Sequence, residues 1–280
     1  MRVGIIGLGL IGGSLGLDLR RLGDRVWGVS RSRATCELAV QMGAVDYAEP
    51  ELEHISDLVH TDLIVICTPI AQVLPVLQKL SKYIQPPTLV TDVASVKGAI
   101  VPSAQAIYPH FVGSHPMAGT AGQGITAAES GLFQERVCVV CEGEIADTVA
   151  QFWQRLGMKV VRCSPTEHDR AVAWISHLPV MVSASLIRSV SQASDPQILR
   201  LAHQLASSGF RDTSRVGGGN PELGTLMAEY NTTPLLTALQ TYQQALAQVI
   251  DLIQNHQWRE LYEYLATARD DRSLFDICRE

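Results

Sequence analysis

No block of basic residues runs through this chain, and that absence narrows its partners first. Charged residues make up 18% of the 280, with a formal net charge of −6, which suits neither nucleic acid nor an anionic membrane surface. Small molecules are the better-matched partners. Cysteine is also scarce. The six, at positions 36, 67, 138, 141, 163 and 278, mostly sit in apolar strand-like runs such as "LIVICTP", as reduced core thiols of a cytosolic protein would. Cys138 and Cys141 form a C-x-x-C, but "RVCVVCE" reads as a strand, on which residues three apart face opposite ways; neither a metal nor a redox pair is expected there. There is no internal repeat and no low-complexity segment. The glycine-rich run from Val3 to Leu17 has no small-residue cleavage site after it and reads as part of the fold rather than a signal peptide. From Ala171 to Ile187 the chain is mostly apolar, yet Ser176, His177, Pro179 and two later serines interrupt it below spanning length. A buried helix is expected there rather than a membrane span.

What is present is an alternation. "RVGIIGLGLIGGSLGLDLRRLGDRVWGVSR" opens with an apolar run, turns at Gly7 and continues with Ile11, Leu15, Leu19 and Leu22 at helical spacing. Further apolar runs at 25–29, 63–67, 88–93 and 137–141 predict an α/β fold with a mostly parallel sheet covered on both faces. The pattern changes at Ser164. Ser164, Pro165 and Glu167 supply an N-cap, a first-turn proline and a capping-box acid, and Asp195-Pro196 and Asn220-Pro221 repeat the device. The second part is therefore helical, and two domains are expected, 1–164 and 165–280. Near the end, Leu235, Leu239, Tyr242, Leu246, Val249 and Ile253 alternate four and three apart, an a/d seam that packs lengthwise on another helix. That partner helix belongs either to the same chain or to a second subunit; a homodimer is favoured.

Gly7, Gly9 and Gly12 make a G-x-G-x-x-G that follows a strand and opens a helix, the context in which it marks a Rossmann-type dinucleotide site. Gly7 allows the tight turn, Gly9 lets the backbone approach the pyrophosphate and Gly12 lets the helix pack on the sheet. The helix start, with Leu10 and Ile11, offers free N–H groups to the phosphates. At the end of the second strand, where an NAD site usually has an acid, stand Ser30, Arg31, Ser32 and Arg33. A 2′-phosphate suits a hydroxyl and guanidinium groups, each charge-assisted bond contributing roughly 1.5–3 kcal/mol. NADP is the expected cofactor.

By "TDVASVKGAI", "GSHPMAGT" and "HLPV…GFRDTSR" together, the sequence resembles the prephenate and arogenate dehydrogenases of tyrosine biosynthesis over essentially its whole length, and within that family the arogenate dehydrogenases of the cyanobacterial kind. The resemblance implies an NADP-binding Rossmann domain, a helical dimerisation domain and a substrate cleft between them. It implies oxidative decarboxylation of arogenate to tyrosine, CO2 and NADPH in the cytoplasm. On this resemblance the catalytic histidine is His115, its partner serine is Ser95, Arg215 pairs with a substrate carboxylate, Thr120 contacts substrate, and Thr68 and Pro69 contact the cofactor.

The chemistry is consistent with the residue types. A neutral histidine can accept a hydroxyl proton as hydride leaves, Ser95 follows an apolar strand at the end where open α/β sheets bind ligands, and Pro116 stiffens what reads as a loop around His115. His177 is equally a core histidine or a substrate contact. His168, in the first turn of its helix, is either a neutral hydrogen-bonding residue near the cleft or surface. Two departures favour arogenate over prephenate: Val180 stands where prephenate-preferring relatives commonly have a histidine, and Ala121 where they often have an acid. The alternatives are a prephenate dehydrogenase giving 4-hydroxyphenylpyruvate and a non-catalytic NADP-binding sensor on the same fold.

Overall fold

In a computed structural model the described residues are 1–275 except 121, 144 and 193. The first stretch alternates except between β3 and β4, which are joined by two short 3-10 turns: β1 (Arg2–Ile6), α1 (Leu10–Arg21), β2 (Arg25–Val29), α2 (Arg33–Gln41), β3 (Tyr47–Glu49), β4 (Leu63–Ile66), α3 (Val73–Leu80), β5 (Leu89–Asp92), α4 (Val101–Ile107) and β6 (Phe111–Val112). The six strands form one parallel sheet in the order β3-β2-β1-β4-β5-β6. This order reverses between β1 and β4, so a crevice opens beyond their C-terminal ends.

Both faces are buried because the strands are apolar throughout. Val3, Ile5, Leu63 and Val65 join one core with Leu15 and Leu19 of α1. Ile6, Ile64, Ile66 and Val90 join the other with Val73, Leu77 and Leu80 of α3. Gly4 is required by the second core, since a Cβ there would meet the Trp27 ring at 2.1 Å.

A second sheet follows: β7 (Ser114–Pro116), β8 (Val137–Cys141) and, after α5 (Ala146–Arg155), β9 (Lys159–Cys163). β7 pairs antiparallel with β8, and β8 runs parallel to β9. Two expectations need correction here. The run 137–141 belongs to this second sheet rather than the first, and His115 lies on a strand, paired with Val139, rather than in a loop. Pro116 is compatible with that pairing because β7 is an edge strand, where a missing N–H is tolerated. Cys138 and Cys141 of β8 do face opposite ways, one into each core, and burial pushes both thiols up, Cys141 to about 12.

From Pro165 the chain is helical: α6 (Pro165–Val172), a π-helical turn (Ala173–His177), α7 (Leu178–Ser191), α8 (Pro196–Leu205), α9 (Ser208–Ser214), α10 (Pro221–Tyr230), α11 (Thr232–Gln254) and α12 (Trp258–Arg272). The three proline-marked starts are capped as their sequences imply. Ser164 and Glu167 form a full capping box, Asp195 accepts from the N–H groups of Gln197 and Ile198, and Asn220 from those of Glu222 and Leu223.

The chain divides into two compact units, residues 1–232 and 233–280. In the second, Leu235, Ala238 and Leu252 are buried, while Tyr242, Leu246 and Ile253 of the seam remain exposed in the single chain. The helix spanning Pro165–Ser191 is long and apolar enough to cross a membrane by length and composition alone, and only 22% of its most apolar window is buried. The expected buried helix is therefore buried only along one face, the face that carries His168, Asp169 and His177.

Candidate active site

The glycine turn comes first, because the fold aims it. Gly7 has φ +104°, and a Cβ there would stand 2.6 Å from the Cys67 carbonyl oxygen; at Gly12 it would meet the Gly7 carbonyl at 2.0 Å. Both positions exclude side chains for close packing of β1, α1 and the end of β4. Gly9 differs, with no atom within 4 Å of where a Cβ would be, so open space lies in front of the α1 N-terminus. The first intrahelical bond runs from Gly13 N to Gly9 O, 2.8 Å. The N–H groups of Leu10, Ile11 and Gly12 thus precede it and point outward with the positive end of the helix dipole. A pyrophosphate fits this cradle.

At the end of β2, Arg31 and Arg33 are exposed and make no ion pair among the described residues. The Ser30 carbonyl accepts from the Cys36 thiol (3.2 Å), and the Ser32 hydroxyl caps α2 by accepting from Thr35 N (3.3 Å). Thr68 and Pro69 follow β4, beside the Gly7 turn, and Thr68 Oγ1 is buried without a partner. These residues could hold a dinucleotide running from the β2 end to the β4 end.

Beneath the end of β5 lies a fully buried polar network. Asp92 Oδ2 accepts from Ala94 N (3.0 Å) and from the Lys97 ammonium, and Lys97 Nζ also donates to the Ser114 carbonyl (2.7 Å). Ser114 N donates to Asp92 Oδ1 (3.2 Å), Ser114 Oγ to the Asp92 carbonyl (2.6 Å), and Trp153 Nε1 to Ser114 Oγ (3.0 Å). The network joins β5 of one sheet to β7 of the other. Removing two charges from water costs several kcal/mol per ion, and the added hydrogen bonds offset it. Its effect is to fix β7, and hence His115.

His115 is 8% exposed. Its Nδ1 lies 2.9 Å from His168 Nε2, and His168 Nδ1 lies 2.8 Å from Asp169 Oδ1. Asp169 in turn accepts from Lys97 N (2.8 Å) at Oδ1 and Gly98 N (2.7 Å) at Oδ2. The Asn231 amide donates to the Asp169 carbonyl (2.8 Å) and approaches His177 Nδ1 (3.1 Å). Burial, and then the nearby His168, Lys97 and His177, hold the His115 pKa well below the ordinary imidazole value. Burial likewise lowers His177, with the Asp169 charge opposing. Both rings are neutral at physiological pH. His177 is fully buried, and its Nε2 has no hydrogen-bond partner of acceptable geometry, although the Ser95 carbonyl is close enough to favour its protonated form. Ser95 Oγ is also buried and unpartnered.

The local sequence explains why His177 turns inward. Pro179 has no N–H to donate to the Ile175 carbonyl four residues back, and its ring crowds that position. The π-helical turn just before it absorbs the mismatch. His177 is buried as a result, while Trp174 and Ile175 stay exposed at 44% and 54%.

The structure thus brings His115, His168, Ser95 and His177 into one neighbourhood at the ends of β5 and β7. It does not bond Thr120 or Arg215 to it. Thr120 is exposed and its hydroxyl accepts from Gly122 N (3.2 Å). Arg215 is exposed at the end of α9, just before a turn held to α7 by Gly217 N donating to Ser183 Oγ (2.8 Å). Val180 lies on α7, its Cγ1 3.7 Å from where a Gly224 Cβ would stand; Ala121 falls outside the described residues. Of the two readings of His168, the buried hydrogen-bonding one holds. Asp92, Lys97, Asp169 and Asn231 escaped sequence reasoning, although a charged pair five residues apart in the otherwise apolar "TDVASVK" signals burial with pairing.

The glycine-turn cradle at the ends of a parallel sheet defines the class, a dinucleotide-binding protein, and the buried His115 imidazole is a base of the kind a dehydrogenase needs. Residues 15–162 match the prephenate dehydrogenase nucleotide-binding domain and residues 164–267 the prephenate dehydrogenase dimerization domain, so the chain belongs to the prephenate dehydrogenase family. It is 51% identical to Synechocystis arogenate dehydrogenase, whose crystal structure superposes with a TM-score of 0.84 over 98% of this chain and 100% of that one. Prephenate dehydrogenase from Aquifex aeolicus, solved with hydroxyphenyl propionate and NAD+, is 26% identical with a TM-score of 0.92 over 99% of this chain and 98% of the other. Prephenate dehydrogenase of Bacillus subtilis strain 168 is 29% identical over 96% of this chain and 74% of its own length.

Proposed function

We propose that this protein is an NADP-dependent arogenate dehydrogenase acting as a homodimer, with residues 1–164 binding cofactor and 165–280 serving substrate binding and dimerisation. The observation that carries the reading is a neutral, buried imidazole, His115, in the same polar neighbourhood as His177, with Ser95 Oγ and His177 Nε2 both buried and unpartnered. A nicotinamide cofactor, if held by the glycine turn together with Thr68 and Pro69, would supply the hydride acceptor. His115 Nε2 takes the proton of the substrate's 4-hydroxyl as hydride leaves the same ring carbon. General-base help of this kind is worth about 10² to 10⁴ in rate. Ser95 Oγ holds that hydroxyl, and His177 Nε2 donates to substrate. The ring carboxylate departs as CO2, its bonding electron pair completing the aromatic ring as the carbonyl pair moves onto oxygen, and the resulting phenolate recovers the proton from His115. Arg215 pairs with a substrate carboxylate, and Thr120 closes over it from the loop after β7.

Arogenate is favoured over prephenate by Val180, which offers no donor to a keto group, and by the likeness to Synechocystis arogenate dehydrogenase. NADP is favoured by Ser30, Arg31 and Arg33, with the Ser32 hydroxyl ordering the helix that Arg33 begins. The exposed seam residues of α11 support a second subunit as their cover. Initial rates with arogenate and prephenate, each with NADP and NAD, test the assignment. Arogenate with NADP is expected to exceed each other combination by at least about tenfold, the discrimination of one charge-assisted bond; a clear preference for prephenate or for NAD contradicts it. Retention of full output by His115→Ala would instead favour a non-catalytic sensor.

A further inference from the structure

Four donors and acceptors have fixed roles around the two buried histidines, and they determine which nitrogen of each ring carries the proton. Asp169 Oδ1 already accepts from Lys97 N and Oδ2 from Gly98 N, so the carboxylate is an acceptor and its neighbour His168 Nδ1 must be the donor. A neutral His168 then has a lone pair on Nε2. Its contact with His115 Nδ1 is a hydrogen bond only if His115 Nδ1 donates. The lone pair of His115 is left on Nε2. Around His177 the sense reverses. The Asp169 carbonyl can only accept, so the Asn231 group facing it is the NH2, and the same NH2 donates to His177 Nδ1. His177 therefore carries its proton on Nε2.

We propose that His168 and Asp169 are positioning residues that lock His115 in its Nδ1–H tautomer and leave Nε2 as the proton acceptor, while Asn231 locks His177 in the opposite tautomer as a donor. The proposal deepens the dehydrogenase reading and rests on it for the identity of the proton removed. The charged and titratable groups that act on the His115 ring are Lys97 from the β5 end, His168 from α6 and His177 from the π-helical turn, with the Cys138 thiol of β8 against the His115 backbone. Lys97 is itself paired with Asp92, and burial keeps the Cys138 thiol protonated. None of them offers His115 Nδ1 an acceptor in place of His168.

The test uses the full chain labelled with 15N-histidine, with long-range proton–nitrogen correlation spectra recorded without substrate near pH 7.5 and His115 assigned from the spectrum of His115→Gln. The wild type should show His115 protonated at Nδ1 and His177 at Nε2. In His168→Leu the His115 tautomer should shift towards Nε2–H, and kcat with arogenate and NADP should fall about tenfold to a thousandfold while KM stays within about threefold. His168→Gln keeps a carbonyl acceptor near the lost Nε2 and should recover to within about tenfold of wild type. An Nε2–H tautomer at His115 in the wild type overturns the proposal even if the variants do not fold. So does a His168→Leu enzyme no slower than His168→Gln. Because the tautomer is read without substrate, a wild type with the stated tautomers that oxidises neither arogenate nor prephenate contradicts the function and leaves the positioning intact.

Discussion

Two buried polar regions lie within a few residues of each other and are built in opposite ways. Beneath the end of β5, the side chains of Thr91, Asp92, Lys97 and Ser114 all bond to one another or to backbone. After β4, after β5 and in the π-helical turn, Thr68 Oγ1, Ser95 Oγ and His177 Nε2 are buried without a hydrogen-bond partner among the described residues, the Ser95 carbonyl alone lying near His177. Leaving a buried polar atom unpaired costs roughly 1–3 kcal/mol, so these three mark places where the chain gives up stability for something other than folding. Among the described residues the other two unpartnered buried atoms are Asp18 Oδ2, whose sister oxygen takes two donors, and His110 Nδ1. The first region joins the strands of the two sheets, and the proposed function assigns the second to ligand.

Substitutions should separate the regions. Lys97→Met leaves Asp92 as an uncompensated buried charge and is expected to destabilise the fold by about 3–5 kcal/mol, lowering the melting temperature by several degrees or more. A shift of a degree or less would mean that the network does not hold β7. His115→Ala should lower kcat by about 10² to 10⁴ with NADP affinity within about twofold, measured by calorimetry. Ser95→Ala should be the mildest, slowing turnover by about tenfold, one hydrogen bond to a reacting group, without loss of melting temperature. A large loss of stability at Ser95 would erase the distinction drawn here.

The pH dependence follows from the same burial. His115 is held below the ordinary 6.5, so it remains an unprotonated base through neutrality. The acid limb of kcat/KM should therefore fall below pH 6.5, with a flat profile above. Stability has the matching sign: as pH drops through 6.5 the unfolded chain gains protons at His115 and His177 that the folded chain does not, so stability decreases. Thermal melts from pH 8 to 5.5 would register it.

The sequence reveals features that depend on local rules and hides those that depend on distant partners. Gly7, Gly9 and Gly12 were legible because a turn, an open approach and a tight packing contact each exclude a side chain. The caps at Ser164, Asp195 and Asn220 were legible because capping spans only three residues. The edge strand Ser114–Pro116 was not, because a proline beside glycine looks like a loop until β8 supplies a partner. Asp169 was hidden for a similar reason, since its donors Lys97 and Gly98 lie more than 70 residues away. The apolar run Ala171–Ile187 reads as a buried helix, yet in one chain only the inner face of the helix that contains it is covered.

If the proposed function holds, Thr68 Oγ1, Ser95 Oγ and His177 Nε2 are the ligand contacts. A crystal structure with NADP and the product tyrosine would test it most directly. The account predicts the tyrosine hydroxyl within hydrogen-bond reach of His115 Nε2 and Ser95 Oγ, His177 Nε2 donating to the product, and Thr68 Oγ1 bonded to the cofactor. Ligands bound elsewhere, with Thr68, Ser95 and His177 still unpaired, would contradict it.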